Sequence, residues 1–236
     1  MGNSEKCQGS ANLWITFLFE EDLWITGDMV RDGLWACHTG LMNELSETKK
    51  CFGMLAAGDP VYAAYHDTEW GRPVRDDTGM FERICLEGFQ VGLSWRTVLH
   101  KRDAFREAFR GFDPAVVARF GEEDIERLLA DVRIIRNRAK ITACVRAAGI
   151  VEAMKAGGES LAELVWSYKP VEHRRPAGVE DLLSQTPESV ALAADLHKRG
   201  FRFVGPVNMY ATLQACGVVN DHLVGCEVGD AIDAVS

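Results

Sequence analysis

Three groups of residues in this chain carry side chains able to do chemistry. The first is a carboxylate, Glu87, set in Phe81-Glu82-Arg83-Ile84-Cys85-Leu86-Glu87-Gly88. Its neighbours are largely apolar, and the glycine beside it leaves room for a ligand to come close. Such a group can accept hydrogen bonds from the polar edge of a ligand; the plainer reading is a solvated helix carboxylate. The second is a basic run, Arg133, Arg136, Arg138, Lys140 and Arg146, with no acid between its ends. It overlaps Leu128-Leu129-Ala130-Asp131-Val132-Arg133-Ile134-Ile135-Arg136-Asn137-Arg138, which has the layout of a helix-hairpin-helix element. A turn of that kind offers backbone N–H groups and a helix N-terminus to a phosphate, and arginines add charge. The plainer reading is a solvated helix face. The third is a scattered, odd set of seven cysteines at 7, 37, 51, 85, 144, 216 and 226, which reads as reduced thiols, some available to a metal, rather than as a disulfide framework. His222-x3-Cys226 is a plausible local ligand pair.

The rest of the composition sets limits. With 236 residues, 47% hydrophobic and 26% charged, the chain can bury a core without crosslinks, and wholesale disorder is excluded. A net charge of −9 argues against indiscriminate nucleic-acid binding, yet the local field decides binding, and the charges are unevenly spread. Leu13 to Phe19, the longest apolar candidate, contains a threonine and runs into Glu20-Glu21-Asp22. It falls short of the roughly 18 residues a spanning helix needs. Met1-Gly2-Asn3-Ser4-Glu5 lacks the basic start of a signal peptide, so a cytoplasmic location is expected. Neither Gly-x-Gly-x-x-Gly nor a phosphate-loop lysine occurs, so no nucleotide cofactor is expected.

The elements that must position these residues are helices. Residues 1–50 differ from the rest: they hold eight acids against four bases and repeat Leu-Trp-Ile-Thr at 13–16 and 23–26. They read as an extension upstream of a natural start at Met42, or as a partner-binding arm. From residue 76 onward helix follows helix. Phe81, Ile84, Cys85 and Gly88 form one face, and Ser94 opens a periodic stretch through Val98, Leu99, Phe105 and Phe109. Asp113-Pro114 and Thr186-Pro187 are cap-plus-proline starts, the first opening a helix through Val116, Val117 and Phe120. Glu122 to Leu129 makes another helix, and a tight connection at Asp131-Val132-Arg133 leads to one that buries Ile141, Cys144, Val145 and Ala148. Gly157-Gly158 and Gly200 are stops, and Gly205-Pro206 starts the last clear helix. No strand alternation appears after residue 70, so the fold class is all-α.

Several blocks carry a resemblance. Asp59-Pro60-Val61-Tyr62, Tyr65-His66-Asp67-Thr68-Glu69-Trp70-Gly71, Cys85-Leu86-Glu87-Gly88, Gly92-Leu93-Ser94-Trp95, Ile134-Ile135-Arg136-Asn137-Arg138, Arg199-Gly200-Phe201-Arg202-Phe203-Val204-Gly205 and Asn220-Asp221-His222-Leu223-Val224-Gly225-Cys226 are, in one collinear order, similar to the family of DNA-3-methyladenine glycosylase I. The similarity spans residues 51–226 and leaves 1–50 and a tail, 227–236, outside. It implies a helix-hairpin-helix DNA glycosylase architecture in which a structural zinc joins the two ends of the domain. The activity implied is hydrolysis of the N-glycosidic bond of 3-methyladenine in double-stranded DNA after base flipping, by a monomer. It implies Glu87 as the catalytic, base-contacting carboxylate, with Tyr65, Trp95 and Tyr62 as aromatic walls, although packing is the ordinary use of an isolated tyrosine. Arg133, Arg136 and Arg138 would face the DNA backbone. Cys51, His66, His222 and Cys226 match the family's zinc ligands, a sound set for one structural zinc. Arg133 stands where the family often has glycine, and the tryptophan common shortly after the first cysteine is missing. Two alternatives remain at this point: a non-catalytic, zinc-stabilised DNA-binding module of the same fold, and a glycosylase that also uses a lysine Schiff base.

Overall fold

A computed structural model describes Cys51 and residues 58–234; the acidic leader, Met42 and residues 52–57 lie outside the described residues. Among the described residues the secondary structure is helical throughout, with no strand. Asp59 caps α1 (Pro60–Thr68), accepting from the Val61 and Tyr62 N–H groups, with Pro60 preset at the first helical position. Asp76 caps α2 (Asp77–Gln90), which is buried nearly all round, from Met80 and Phe81 to Phe89. A helix buried on every side belongs at the centre of a fold, and the helices opening at Arg138, Leu161 and Pro206 pack against α2.

The stretch expected to run periodically from Ser94 to Phe109 is divided. Ser94 caps α3 (Trp95–Leu99), and the chain turns at His100 and Lys101 before α4 (Arg102–Ala108). A 3-10 turn, Arg110–Phe112, follows, with Gly111 in the left-handed region at φ 70°. The next helix, α5 (Pro114–Val117), is shorter than the pattern through Phe120 implied. The hairpin is formed by α6 (Glu122–Ala130) and α7 (Arg138–Ala156), whose N-cap is Asn137. Val145, expected on the inner face of α7, is only half-buried.

Ser160 caps α8 (Leu161–Trp166). Thr186 and Ser189 form a reciprocal cap on α9 (Pro187–Arg199), which ends at Gly200, φ 106°, where the Phe201 N–H reaches back to the Leu196 carbonyl. Then come α10 (Pro206–Ala215) and α11 (Glu227–Asp233). The last of these falls in the segment expected to be a tail: Ile232 is buried and Arg175 binds Asp230 and Asp233, so the segment packs onto the domain.

One main core joins α2, α7, α9 and α10, with Phe89, Phe105, Phe109 and Phe112 stacked at its α4 end. Truncating any one of these rings to alanine should cost about 3–5 kcal/mol. Two smaller clusters stand beside it. One gathers Tyr62, Tyr65, Trp70, Leu99 and Ala215 against Trp95; the other gathers Cys51, Leu223 and Cys226. No helix among the described residues is long and apolar enough to cross a membrane.

Candidate functional site

Glu87 lies on the buried face of α2, not on a surface helix, and is 3% exposed. Its Oε2 is buried without a hydrogen-bond partner. Burial pushes the carboxyl up to about 8, against the opposing pull of the Arg83 guanidinium one turn earlier. Asn208 on α10 donates to the Glu87 backbone carbonyl at 2.9 Å, holding this turn of α2 in place.

The aromatic walls come from two short helices. Tyr65 on α1 meets Trp95 on α3 with ring centroids 5.5 Å apart at 48°, and Tyr62 stands edge-on to Tyr65 at 6.5 Å. Burial, and then the charge of Glu87, raises both phenols, Tyr62 to about 12 and Tyr65 well above its ordinary value. The Trp95 Nε1 is also buried and without a hydrogen-bond partner. An unmatched buried acceptor, and an unmatched donor on a ring of this aromatic cluster, suit a flat ligand that has a polar edge and π faces.

The fixtures that hold these walls escaped the sequence reading. The Asp59 carboxylate binds His100 Nε2 and Arg96 Nε, each at 2.8 Å, while capping α1. His100, foremost, holds this carboxyl below its ordinary range. The Asp-Pro pair could have revealed the cap, being the same signature as Asp113-Pro114. Behind α2, Glu69 binds Arg83 at 3.1 Å and Arg102 at 2.7 Å; Glu82 binds Arg83 at 3.2 Å and Arg106 at 2.8 Å. Arg102 also lies over the Tyr65 ring, 5.8 Å from its centroid. No sequence spacing announces these pairs, whose partners come from α2, α4 and the end of α1.

Cys51, His66, His222 and Cys226 meet in a buried group whose ligand atoms all lie within 4.8 Å of one another. Cys51 Sγ is 3.7 Å from His222 Nδ1. Cys226 Sγ is 3.6 Å from His66 Nε2 and 3.5 Å from His222 Nδ1, and the two ring nitrogens are 3.1 Å apart. A tetrahedron with zinc–sulfur and zinc–nitrogen bonds of ordinary length has edges of about 3.3–3.8 Å, and these four separations lie near that range. The outer nitrogens are already engaged: His66 Nδ1 with Asp67 at 2.7 Å and His222 Nε2 with the Trp70 carbonyl at 3.1 Å. That fixes the tautomers that turn lone pairs inward. Burial holds His222 down at about 4, in the neutral form that ligates, and pushes the Cys51 thiol up to about 12. Thiolates here need a cation to join them. Arg175 grips the loop below, donating to the carbonyls of His222 at 2.8 Å, Leu223 at 2.6 Å and Cys226 at 3.3 Å. These four residues can hold a metal.

The basic run is less free than its composition suggests. Arg133 binds Asp131 at 2.9 Å and Glu107 at 2.6 Å, while Arg138 binds Glu122 at 2.5 Å and also Glu126. Lys140 is buried and donates to the carbonyls of Phe89 at 2.9 Å and Val91 at 2.5 Å. Arg136 is exposed and has no acidic partner among the described residues. The run contains no acid, as the sequence indicated; the acids come from α4, α6 and the turn just before it. On α7, the Asn137 side chain caps only the Lys140 N–H, and the two residues before Lys140 are exposed.

Known proteins resemble this chain in sequence and fold. A family model described as methyladenine glycosylase matches residues 55–229. The DNA-3-methyladenine glycosylase 1 of Escherichia coli (strain K12) is 49% identical over 172 residues, covering 71% of this chain and 91% of that protein. A crystal structure of 3-methyladenine DNA glycosylase I aligns with a TM-score of 0.69 at 50% identity, covering 72% of this chain and 94% of the other. The Staphylococcus aureus 3-methyladenine DNA glycosylase I, solved for the structural basis of 3-methyladenine recognition, aligns with a TM-score of 0.71 at 34% identity. That alignment covers 78% of this chain and 98% of the other.

Proposed function

Since this chain belongs to the methyladenine glycosylase family, we propose that it excises 3-methyladenine from alkylated DNA by hydrolysing the N-glycosidic bond. The observation that carries the reading is the pair of orphaned buried atoms, Glu87 Oε2 and Trp95 Nε1, the second on a ring packed against the Tyr62–Tyr65 cluster. Methylation at N3 gives the attached base a positive charge. The bond to C1′ breaks with its electron pair passing to the base, which leaves neutral; water supplies the oxygen at C1′ and loses a proton. A leaving group of that kind needs little help from an acid, so selection of the base can do much of the work. Tyr65 and Trp95 would stack on the cation, with Tyr62 completing the wall. Glu87 would accept from the polar edge of the base and, once a cation lies against it, become ionised despite its burial.

The hairpin would hold the phosphates near the flipped nucleotide in double-stranded DNA, with the protein acting as a monomer. Arg136 and the open N–H groups of α7 would bind first, and Arg133 and Arg138 would exchange a carboxylate for a phosphate. Cys51, His66, His222 and Cys226 would hold one zinc, which supplies a crosslink between the ends of the domain and no reactive position.

Two assays separate the rivals. Duplex DNA treated with a methylating agent is incubated with the protein, and released bases are identified by chromatography. The reading expects 3-methyladenine in the supernatant. DNA bound without base release would leave a binding module in its place. Borohydride trapping of protein on DNA would favour a lysine Schiff base. Against that, Lys140 has its ammonium group taken up by two carbonyls.

A further inference from the structure

Two thiols lie apart from both the aromatic cluster and the metal group. Cys85 on α2 and Cys144 on α7 are buried, and the Cys144 thiol donates to the Cys85 sulfur at 2.9 Å. Both line a cavity of about 20 Å³ that Gly88, Lys140, Phe201 and Phe203 help to enclose. Space of that size holds about one water-sized molecule. Cys85 is two residues before Glu87, and Cys144 is one turn after Lys140 on the helix that opens at the hairpin.

We propose that Cys85 and Cys144 form an oxidant-responsive dithiol, closed to a disulfide by hydrogen peroxide entering this cavity, which staples the Glu87 helix to the hairpin helix. The sulfurs need approach by only about a further 0.9 Å to reach bonding distance. In the first step one sulfur, as thiolate, attacks a peroxide oxygen. The O–O bond breaks, hydroxide leaves and is protonated to water, and a sulfenic acid remains. In the second step the other sulfur attacks the sulfenic sulfur, and the displaced hydroxide leaves as water with that thiol's proton. Two thiols lose two electrons in all, and one peroxide becomes two waters.

Burial pushes the Cys85 thiol well above its ordinary value, so the pair stays reduced through brief exposure and closes slowly under sustained oxidant. The cavity also selects by size, since it is far too small for glutathione disulfide. The partners are 59 positions apart, so the bond restricts the unfolded chain and raises the melting temperature. This inference stands independently of the glycosylase reading, because its readout is covalent.

The full chain is exposed to hydrogen peroxide, quenched, denatured, alkylated and digested, and the peptides are identified by mass spectrometry. The expected result is a Cys85–Cys144 linked peptide, a melting temperature higher by several degrees, and reversal of both by dithiothreitol. Cys144→Ser should show neither the link nor the rise, and glutathione disulfide should produce neither in the wild-type chain. Recovery of Cys85 and Cys144 as alkylated thiols after peroxide overturns the proposal, as does pairing of Cys85 with any other cysteine. Linkage by glutathione disulfide overturns the cavity as the route.

Discussion

Asp59 and His100 are 41 positions apart, and their side chains meet at 2.8 Å, fastening the helix that bears Tyr62 and Tyr65 to the helix that bears Trp95. The same carboxylate caps α1. Asp59→Asn keeps the cap, since asparagine accepts the same N–H bonds, but loses the ion pairs to Arg96 and His100. It should weaken binding of free 3-methyladenine by about tenfold, with the fold intact, because the two walls lose their fixed spacing. Asp59→Ala loses the cap as well and should also lower the melting temperature. Fluorescence titration and thermal melts separate the two effects. Unchanged affinity in Asp59→Asn would leave Asp59 as a helix cap alone.

Glu87 should cost stability as pH rises. Its folded value, about 8, lies above the ordinary carboxylate value of 4.5. The folded chain therefore holds a proton that the unfolded chain gives up, and folding weakens progressively between those two values. Glu87→Gln removes the effect. It should match wild type near pH 4.5 and become the more stable protein by neutral pH, by on the order of 3 kcal/mol. Denaturant melts across this range test it, and a constant difference between the two proteins refutes it.

The three hairpin arginines should not be equivalent. Arg136→Ala should weaken DNA binding across sequences and reduce the slope of log K against log salt by about 0.9. Arg133→Ala and Arg138→Ala should do less, because each arginine gives up a carboxylate to gain a phosphate. Affinity for the free base should stay at the wild-type level in all three. Equal salt slopes for the three variants would mean that the internal ion pairs do not compete with DNA.

One zinc per chain is expected by elemental analysis. Cys226→Ser should release it and lower the melting temperature, while base excision persists wherever the chain remains folded. Arg175→Met should leave the four ligands in place yet lower zinc affinity by about tenfold or more, because the loop carrying His222 and Cys226 loses its grip. Competition with a chromogenic chelator measures the change. Excision that stops on metal removal from a folded chain would contradict a purely structural role.

Local signals in the sequence carried most of the helices. Asp113 and Thr186 as caps, with Gly200 as a stop, are chemical marks that survive without tertiary contacts. The first helix, α1, was not read because its aromatic residues serve a small satellite cluster instead of a regular inward stripe. The Ser94–Phe109 stretch kept its period across a turn, since both halves face one core. For the candidate site, Glu87 was visible as an oddity, but its burial was not, because that depends on helices arriving from residues 60 and 206. The charge of the hairpin misled for the same reason: Glu107 lies 26 positions from Arg133, and Glu122 lies 16 from Arg138. The metal set emerged only through resemblance, and the touching sulfurs of Cys85 and Cys144 have no signature in spacing.

The joining of Cys51 and Cys226 in one ligand group has a mechanical consequence. Once a metal bridges them, the intervening chain is a closed ring, and tension applied at residues 51 and 226 passes directly across the metal–sulfur bonds. The helices in between, including the Glu87 turn of α2 and the hairpin, lie off the line of force. Pulled from those two points, the domain should yield in a single rupture at the metal, after which the shielded chain unravels under a load it had not previously felt.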